Sequence, residues 1–214
     1  MKNEKSIIAV EGLPFIIPVL LITIISAVFL PVWITIICAA LLVFVTAFFR
    51  NPHRSIPGDP KAVVCPADGK VIEIKEMDEP DFLKARCIRI CVFMNVFNVH
   101  INRIPLGGTV KDIRYFPGKF LVASLDKASE LNERNVVLIE GAGGVKILVV
   151  QIAGLVARRI VSYLTVGDSV KKGDRFGLIR FGSRLDLYLP VTAKITVRVG
   201  ETVRGGETIM GVLS

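Results

Sequence analysis

The sequence is poor in the side chains that build metal centres and disulfide frameworks. Only two histidines and four cysteines occur among 214 residues, and the spacing of Cys87, Cys91 and His100 matches no compact zinc pattern. A zinc peptidase is therefore disfavoured, and no metal site is predicted. The cysteines fall in apolar stretches, which predicts buried or membrane-embedded thiols in a reducing compartment rather than disulfides.

Charged residues are missing from a long stretch near the N-terminus. From Gly12 to Phe49, 38 residues pass without a single charge, which is longer than the apolar core of a cleavable signal peptide. A straight helix of that length would measure about 57 Å, nearly twice the ~30 Å hydrocarbon core of a bilayer. A break at Pro31 therefore predicts two short helices, over residues 14–30 and 32–49, that form a transmembrane or re-entrant hairpin.

Basic residues flank this hairpin on both sides. Lys2 and Lys5 precede it, and Arg50 and Arg54 follow it. The positive-inside rule predicts that both ends of the hairpin, and the domain that follows, lie on the cytoplasmic side of the cell membrane. The net charge of +8 suits a domain that faces anionic headgroups. Nucleic acid is not an expected partner, because no basic run with interleaved aromatic residues occurs.

Three segments are predicted along the chain. Residues 1–50 form a membrane anchor, residues 51–60 form a proline-rich linker, and residues 61–214 form a globular domain. Short β-branched runs separated by turn residues predict that this domain is mainly β. One interruption, a short helix or a loop, is expected over residues 121–134.

An internal repeat lies in the C-terminal third of the chain. The sequence VGDSVKKGD at residues 166–174 recurs as VGETVRGGE at residues 199–207. Each copy is typical of a strand end, a turn in which glycine adopts a positive φ, a short strand and a second glycine turn. Two copies predict a pseudo-twofold architecture, similar to the barrel-sandwich or hammerhead fold of biotinyl and lipoyl carriers. A carrier needs a lysine between the copies, and the segment there reads RFGSRLDLYLP.

Five motifs follow one another between Cys65 and Pro190: CPADGKV, FMNVFNVHINRIP, PGKFLVASLDKASELNERN, QIAGLVARRI and FGSRLDLYLP. Together they resemble phosphatidylserine decarboxylase of the short, membrane-anchored type, and the resemblance covers nearly all of residues 45–214. It implies a self-processing, pyruvoyl-dependent enzyme that converts membrane phosphatidylserine to phosphatidylethanolamine and CO₂. No separately bound cofactor is expected, because the pyruvoyl group derives from the chain itself.

The same resemblance implies roles for four residues. Ser183 attacks the carbonyl of Gly182, and β-elimination divides the chain into residues 1–182 and 183–214, which form a heterodimer. Ser183 becomes the pyruvoyl group. His100, in FNVHINRIP, supplies the base, and Asp68, in CPADGK, orients the imidazole. An assembly of more than one heterodimer is also compatible with the sequence.

Two positions depart from the longer members of that family. Many of them have a second histidine three residues after the first, and this chain has Arg103 there. His100 would therefore serve both self-cleavage and protonation of the substrate. The longer enzymes also carry a Leu-Gly-Ser-Thr type cleavage sequence, whereas Arg184 follows the Gly182–Ser183 pair in this chain.

Three basic residues are candidates for binding the phosphate or carboxylate of the substrate. Arg158 and Arg159 are adjacent and would point to opposite faces of a strand, and guanidinium groups bind such anions bidentately. Lys119 is the third candidate. Lys119 and Lys127 flank the segment FLVASLD, whose first two residues are expected to dip into the membrane interface.

Other functions are compatible with the residues alone. A non-catalytic, membrane-anchored adaptor that uses the repeat as a docking surface is the main alternative, and it predicts an intact chain. A pyruvoyl enzyme that acts on a soluble amino acid is disfavoured, because a soluble substrate gains nothing from a membrane anchor. Fold class by itself does not separate these functions.

Overall fold

The computed structural model describes residues 6–118, 132–154, 159–180 and 183–214. The chain divides into two compact units, a helical unit that ends at His53 and a β unit that comprises Arg54–Ser214. Several sequence-based expectations fall outside the described residues: most of the interruption over residues 121–134, and the residues Lys119, Lys127, Arg158 and Gly182.

The helical unit is a hairpin of two apolar helices. A short 3-10 turn, Val10–Gly12, leads into α1 (Leu13–Phe29), and α2 spans Val32–Phe48. Pro31 is the residue that caps the start of α2, so the predicted break is confirmed. In the described part of the chain, Val10–Phe29 is the helical stretch long and apolar enough to cross a membrane, and α2 is shorter.

The two ends of this hairpin lie side by side. The backbone N–H of Ala9 donates to the carbonyl of Phe49 at 2.8 Å, and the N–H of Asn51 donates to the carbonyl of Ile7 at 2.6 Å. The chain therefore enters and leaves the hairpin at the same end. This geometry is the one that the flanking basic residues require if both ends lie on one side of a membrane.

The β unit is built from antiparallel strands, which confirms the mainly β prediction. The described strands are β1 (Ala62–Val64), β2 (Gly69–Glu79), β3 (Ala85–Met94), β4 (Ile101–Arg103), β5 (Gly108–Phe116), β6 (Arg134–Glu140), β7 (Lys146–Ala153), β8 (Ile160–Ser162), β9 (Ser169–Val170), β10 (Arg175–Ile179), β11 (Ser183–Pro190), β12 (Lys194–Ile195), β13 (Thr202–Val203) and β14 (Ile209–Val212). They form an eight-stranded sheet in the order β13-β2-β3-β11-β7-β6-β5-β9 and two three-stranded sheets, β1-β14-β12 and β4-β10-β8.

The two faces of β11 pack in two different apolar clusters. Side chains alternate between the faces of a strand, and Leu185 and Leu187 lie in the main apolar core. On the opposite face Tyr188 packs in a second apolar cluster with residues of β6 and β7. Because Ser183 has the same parity as Leu185, it belongs to the face that covers the main core.

The two copies of the repeat lie at opposite edges of the eight-stranded sheet, where they supply β9 and β13. In each copy the second turn glycine donates its N–H to a carbonyl elsewhere in the unit, from Gly173 to Ile104 at 2.8 Å and from Gly206 to Cys65 at 2.7 Å. The predicted glycine turns are confirmed, with φ of 96°, 86°, 91° and 82° at Gly167, Gly173, Gly200 and Gly206.

Candidate active site

Ser183 is the first residue of β11 and lies near the middle of the eight-stranded sheet. It pairs with Met94 of β3 on one side and with Ala153 of β7 on the other. Its side chain is fully buried, and the hydroxyl has no hydrogen-bond partner among the described residues. A buried polar group without a partner costs about 1–3 kcal/mol, so such a group in a native protein calls for an explanation, of which a catalytic role is one.

His100 immediately precedes β4 and is 1% exposed. Its Nδ1 lies 3.0 Å from the carbonyl oxygen of Asn98. A carbonyl oxygen can only accept a hydrogen bond, so in the neutral ring Nδ1 carries the proton and Nε2 carries the lone pair. His100 is therefore held in a tautomer that suits a general base acting through Nε2.

The backbone connects His100 to β3, which pairs with Ser183, and to β10, which precedes Ser183 in the chain. Met94, which pairs with Ser183, ends β3, and the loop over residues 95–99 leads from it directly to His100. On the other side, the carbonyl of His100 accepts a hydrogen bond from the N–H of Ile179 at 3.4 Å. Ile179 ends β10, shortly before Ser183. The topology thus brings the two predicted reactive residues to one end of the sheet.

Asp68 makes other contacts than the predicted one. Its Oδ2 accepts a hydrogen bond from Arg54 Nη2 at 2.7 Å, and its Oδ1 accepts from the N–H of Gly205 at 2.7 Å. Both oxygens are therefore engaged by groups other than His100, whose Nδ1 contacts Asn98. A role of Asp68 in orienting His100 stays a prediction.

Arg103, at the position of the expected second histidine, lies in a cluster of charged groups. Burial lowers the pKa of its guanidinium to about 10, and the positive charges of Arg54 and Arg175 act in the same direction, against the attraction of Asp68 and Glu207. At neutral pH Arg103 still carries its proton. It offers a hydrogen-bond donor and a positive charge, and it cannot replace a histidine as a base.

Arg184, which follows Ser183, is held by a buried ion pair. Its Nε and Nη2 donate to the two carboxylate oxygens of Asp186 at 2.6 Å and 2.7 Å, and both side chains are almost completely buried. Burial lowers the pKa of the Arg184 guanidinium, and the hydrogen bonds and charge of Asp186 outweigh that effect and raise it. The bidentate pair holds the Arg184 side chain against its own strand, one residue after Ser183.

One candidate substrate-binding cation lies beside the segment that leads to Ser183. The side chain of Arg159 is exposed, and its backbone carbonyl accepts a hydrogen bond from the N–H of Arg180 at 3.3 Å. Its guanidinium is thus available to an anion from solvent or from a membrane surface. The other two candidates, Arg158 and Lys119, lie outside the described residues.

Comparison with known proteins identifies the family. The sequence profile of phosphatidylserine decarboxylase matches residues 41–211. The chain belongs to the phosphatidylserine decarboxylase family. Among its relatives, the phosphatidylserine decarboxylase proenzyme of Syntrophus aciditrophicus is 50% identical over 212 residues, which cover 99% of each chain. The proenzymes of the same name from Geotalea uraniireducens and Burkholderia lata are 48% and 47% identical, and the matches cover 99–100% of each chain.

Membership of the family does not by itself account for three buried amides that were not predicted as site residues. Asn135 Nδ2 donates to Gln151 Oε1 at 2.9 Å, and Gln151 Nε2 donates to Asn102 Oδ1 at 2.8 Å. A signal for two of them was present in the sequence. Gln151 interrupts the apolar run KILVVQIA, and Asn102 lies inside the histidine motif FNVHINRIP.

Proposed function

We propose that this member of the phosphatidylserine decarboxylase family cleaves itself at Ser183 and decarboxylates phosphatidylserine to phosphatidylethanolamine. The observation that carries the proposal is the buried Ser183 hydroxyl, which has no hydrogen-bond partner among the described residues and begins a central strand. The position of His100 and the names of the full-length relatives support the same function.

Self-processing requires only groups of the chain and one water. Ser183 Oγ attacks the carbonyl carbon of Gly182, the peptide C–N bond breaks, and an ester replaces the amide. Loss of the Cα proton of residue 183 then breaks its Cβ–O bond, which leaves a carboxylate on Gly182 and dehydroalanine at residue 183. Water replaces the nitrogen, ammonia leaves, and residue 183 ends as a ketone. No oxidant or reductant takes part.

His100 is the proposed proton acceptor and donor in both reactions. The contact between Nδ1 and Asn98 leaves Nε2 to receive the proton of the serine hydroxyl. Because Arg103 remains protonated at neutral pH, that position offers no second base. The proton delivered to the substrate carbon after CO₂ leaves is therefore also assigned to His100.

The site is suited to a pyruvoyl group made from Ser183. When present, such a group supplies a ketone that condenses with the substrate amine and withdraws electrons as CO₂ leaves. The neighbours of Ser183 in the two strand pairs, Met94 and Ala153, are both fully buried and would exclude water from the reacting carbon. Arg159, exposed beside the segment that leads to Ser183, is assigned to the phosphate or carboxylate of the substrate.

The two fragments are expected to remain together as a heterodimer. β11 pairs with β3 and with β7, and β14 pairs with β1. All three ladders join residues 183–214 to residues that precede the cleavage point. Loss of a single peptide bond leaves these hydrogen bonds and the shared core in place.

We place the reaction at the cytoplasmic face of the cell membrane. The apolar stretch Val10–Phe29 supports a membrane anchor. The meeting of residues 7–9 with residues 49–51 supports an anchor whose two ends lie on one side, and the basic residues on both flanks favour the cytoplasmic side.

The experiment that tests the activity uses the full chain, purified in detergent, in mixed micelles that contain phosphatidylserine. Lipid mass spectrometry should show phosphatidylethanolamine with the wild-type chain and none with Ser183→Ala. Free serine, offered under the same conditions, should not be decarboxylated. An intact chain that releases no phosphatidylethanolamine would favour the adaptor function, and turnover of free serine in place of the lipid would assign a soluble substrate.

A further inference from the structure

A chain of three buried amides crosses the interior of the β unit. The amide groups of Asn135, Gln151 and Asn102 are linked by hydrogen bonds of 2.9 Å and 2.8 Å. Asn102 and Gln151 have no exposed surface, and Asn135 is 4% exposed. In each link the side-chain NH₂ group donates to the carbonyl oxygen of the next amide, so the chain has one direction.

The amide chain joins two different sheets. Asn135 lies on β6 and Gln151 on β7, where the two residues are also paired in register. Asn102 lies on β4, which belongs to the separate sheet β4-β10-β8. The bond from Gln151 to Asn102 therefore connects the eight-stranded sheet to the strand that follows His100.

Both ends of this connection lie close to the reactive residues. Gln151 lies two residues before Ala153, the partner of Ser183 on β7. Asn102 lies two residues after His100, and its Nδ2 is 3.9 Å from the Sδ of Met94, the partner of Ser183 on β3. The amide chain thus joins the strand that positions His100 to the two strands that flank Ser183.

The backbone leaves room for this arrangement at Gly177. Gly177 pairs with Asn102 in the ladder between β4 and β10. A Cβ at this position would lie 3.1 Å from Gln151 Nε2 and 2.1 Å from the carbonyl oxygen of Val161. A side chain at residue 177 would therefore displace the β8 backbone and crowd the Gln151 amide.

From these contacts we infer that Asn135, Gln151 and Asn102 are positioning residues for the reaction at Ser183. The inference rests on the proposed function. Apolar side chains would fill the same space without burying polar groups, but they would permit β4 to shift against β7. The amide chain favours one register, because a shift of either strand would break a hydrogen bond between two buried groups. It thereby fixes the distance between His100 and the start of β11, and a displacement of about 1 Å at a reacting group costs up to about 10²-fold in rate.

The test compares single and triple replacements in the full chain. Gln151→Met keeps the length of the side chain but leaves Asn102 and Asn135 without their shared partner, so it should lower Tm and slow self-cleavage by about 10- to 100-fold. The triple variant Asn102→Leu/Gln151→Met/Asn135→Leu removes all three amides together. It should recover stability and still cleave slowly, since an apolar contact does not fix the register.

A control separates positioning from general destabilisation. Val150→Ala removes apolar contacts from the neighbouring residue of β7, on the opposite face and outside the amide chain. At a Tm as low as that of Gln151→Met, it should still cleave close to the wild-type rate. If Gln151→Met cleaves slowly and Val150→Ala does not, the inference is supported even when the triple variant does not regain its stability.

Three results would overturn the inference. Equal slowing in Val150→Ala and Gln151→Met, at equal Tm, would reduce the amides to a structural role. Recovery of both stability and cleavage in the triple variant would do the same, and so would cleavage of Gln151→Met at the wild-type rate. A wild-type chain that does not cleave would instead remove the proposed function, and the inference with it.

Discussion

The two units of this chain use apolar and polar groups in opposite ways. The hairpin exposes its apolar side chains, with Ile22 and Ile36 exposed by 55% and 63%. Two hydroxyl groups of α1 bond within their own helix: Thr23 Oγ1 donates to the Val19 carbonyl at 2.7 Å, and Ser26 Oγ donates to the Thr23 carbonyl at 2.8 Å. This is the arrangement that a lipid environment requires, because lipid provides no hydrogen-bond partner.

The β unit buries its apolar residues and keeps polar groups among them. Ser183, His100 and the amides are all enclosed in or beside the main core, and the Ser183 hydroxyl has no partner among the described residues. An apolar side chain at that position would make the β unit more stable. The comparison teaches that the hairpin exposes apolar groups and pairs polar ones, whereas the β unit buries polar groups, Ser183 among them, at a cost in stability that the proposed chemistry would explain.

Each unit contains one of the two histidines, and replacing them should give the largest difference in the rate of self-cleavage. His100→Gln should slow self-cleavage by about 10²- to 10⁴-fold, because it removes the proposed base. His53→Gln, at the end of the helical unit, should cleave like the wild type. The fraction of cleaved chain is followed over time on denaturing gels. Equal rates in both variants would contradict the assignment of His100.

A second prediction concerns the buried thiols of the β unit. Burial, partly offset by a hydrogen bond with the backbone of Ala67, raises the pKa of Cys65 from 9.0 to about 12, which lowers its thiolate fraction by about 10³-fold at pH 8. Cys65 in the folded chain should resist alkylation by iodoacetamide at pH 8, and it should react once the chain is unfolded in urea. Peptide mass spectrometry measures both. Rapid alkylation of Cys65 in the folded chain would contradict its burial.

A charge in the hairpin should affect membrane association and leave the chemistry intact. Ile22→Arg places a guanidinium near the middle of α1, at a cost of about 2.5–3.5 kcal/mol for insertion. We expect a smaller share of the chain in carbonate-washed membranes and unchanged self-cleavage in the cleavage assay. Val199→Arg, at a position of the β unit that is 60% exposed, is the matched control and should stay in the membrane fraction.

The smallest expected effect is on how Tm depends on pH under acidic conditions. A hydrogen bond from the Ser55 N–H, and then the charge of Arg54, lower the pKa of Glu207 below its ordinary 4.5. The stability gained from this shift is present above about pH 4.5 and is lost as the pH falls through the lower, folded-state pKa. As the pH is lowered from about 5 to about 3, the Tm of Glu207→Gln should therefore fall less than the Tm of the wild type. Glu76→Gln, at an exposed ion pair with Arg86, should behave like the wild type.

Local features of the fold could be predicted from the sequence. The break at Pro31 follows from the length of the apolar stretch and from the missing N–H of proline. The positive φ at Gly167 and Gly200 follows from the repeat. Such features depend on residues close to one another in the chain, where the sequence pattern is informative.

The contacts of the site depend on distant residues, and these could not be predicted. Asn102 and Gln151, which share a hydrogen bond, are 49 residues apart in the chain. Arg54, which donates to Asp68, lies in the segment predicted to be a linker. Such contacts follow from the register and order of the strands, which period-two patterns leave open. The expected contact between Asp68 and His100 came from the family resemblance and stays a prediction; the hydrogen bonds that Asp68 makes to Arg54 and Gly205 were not predicted.

The most direct test of the central claim is the intact mass of the purified wild-type chain beside Ser183→Ala. The wild type should yield two chains, residues 1–182 and residues 183–214, and the shorter one should have a blocked N-terminus that reacts with carbonyl reagents. Ser183→Ala should remain a single full-length chain, and Ser169→Ala, at an exposed serine of β9, should cleave normally. One uncleaved chain in both the wild type and Ser183→Ala would contradict self-processing at this serine.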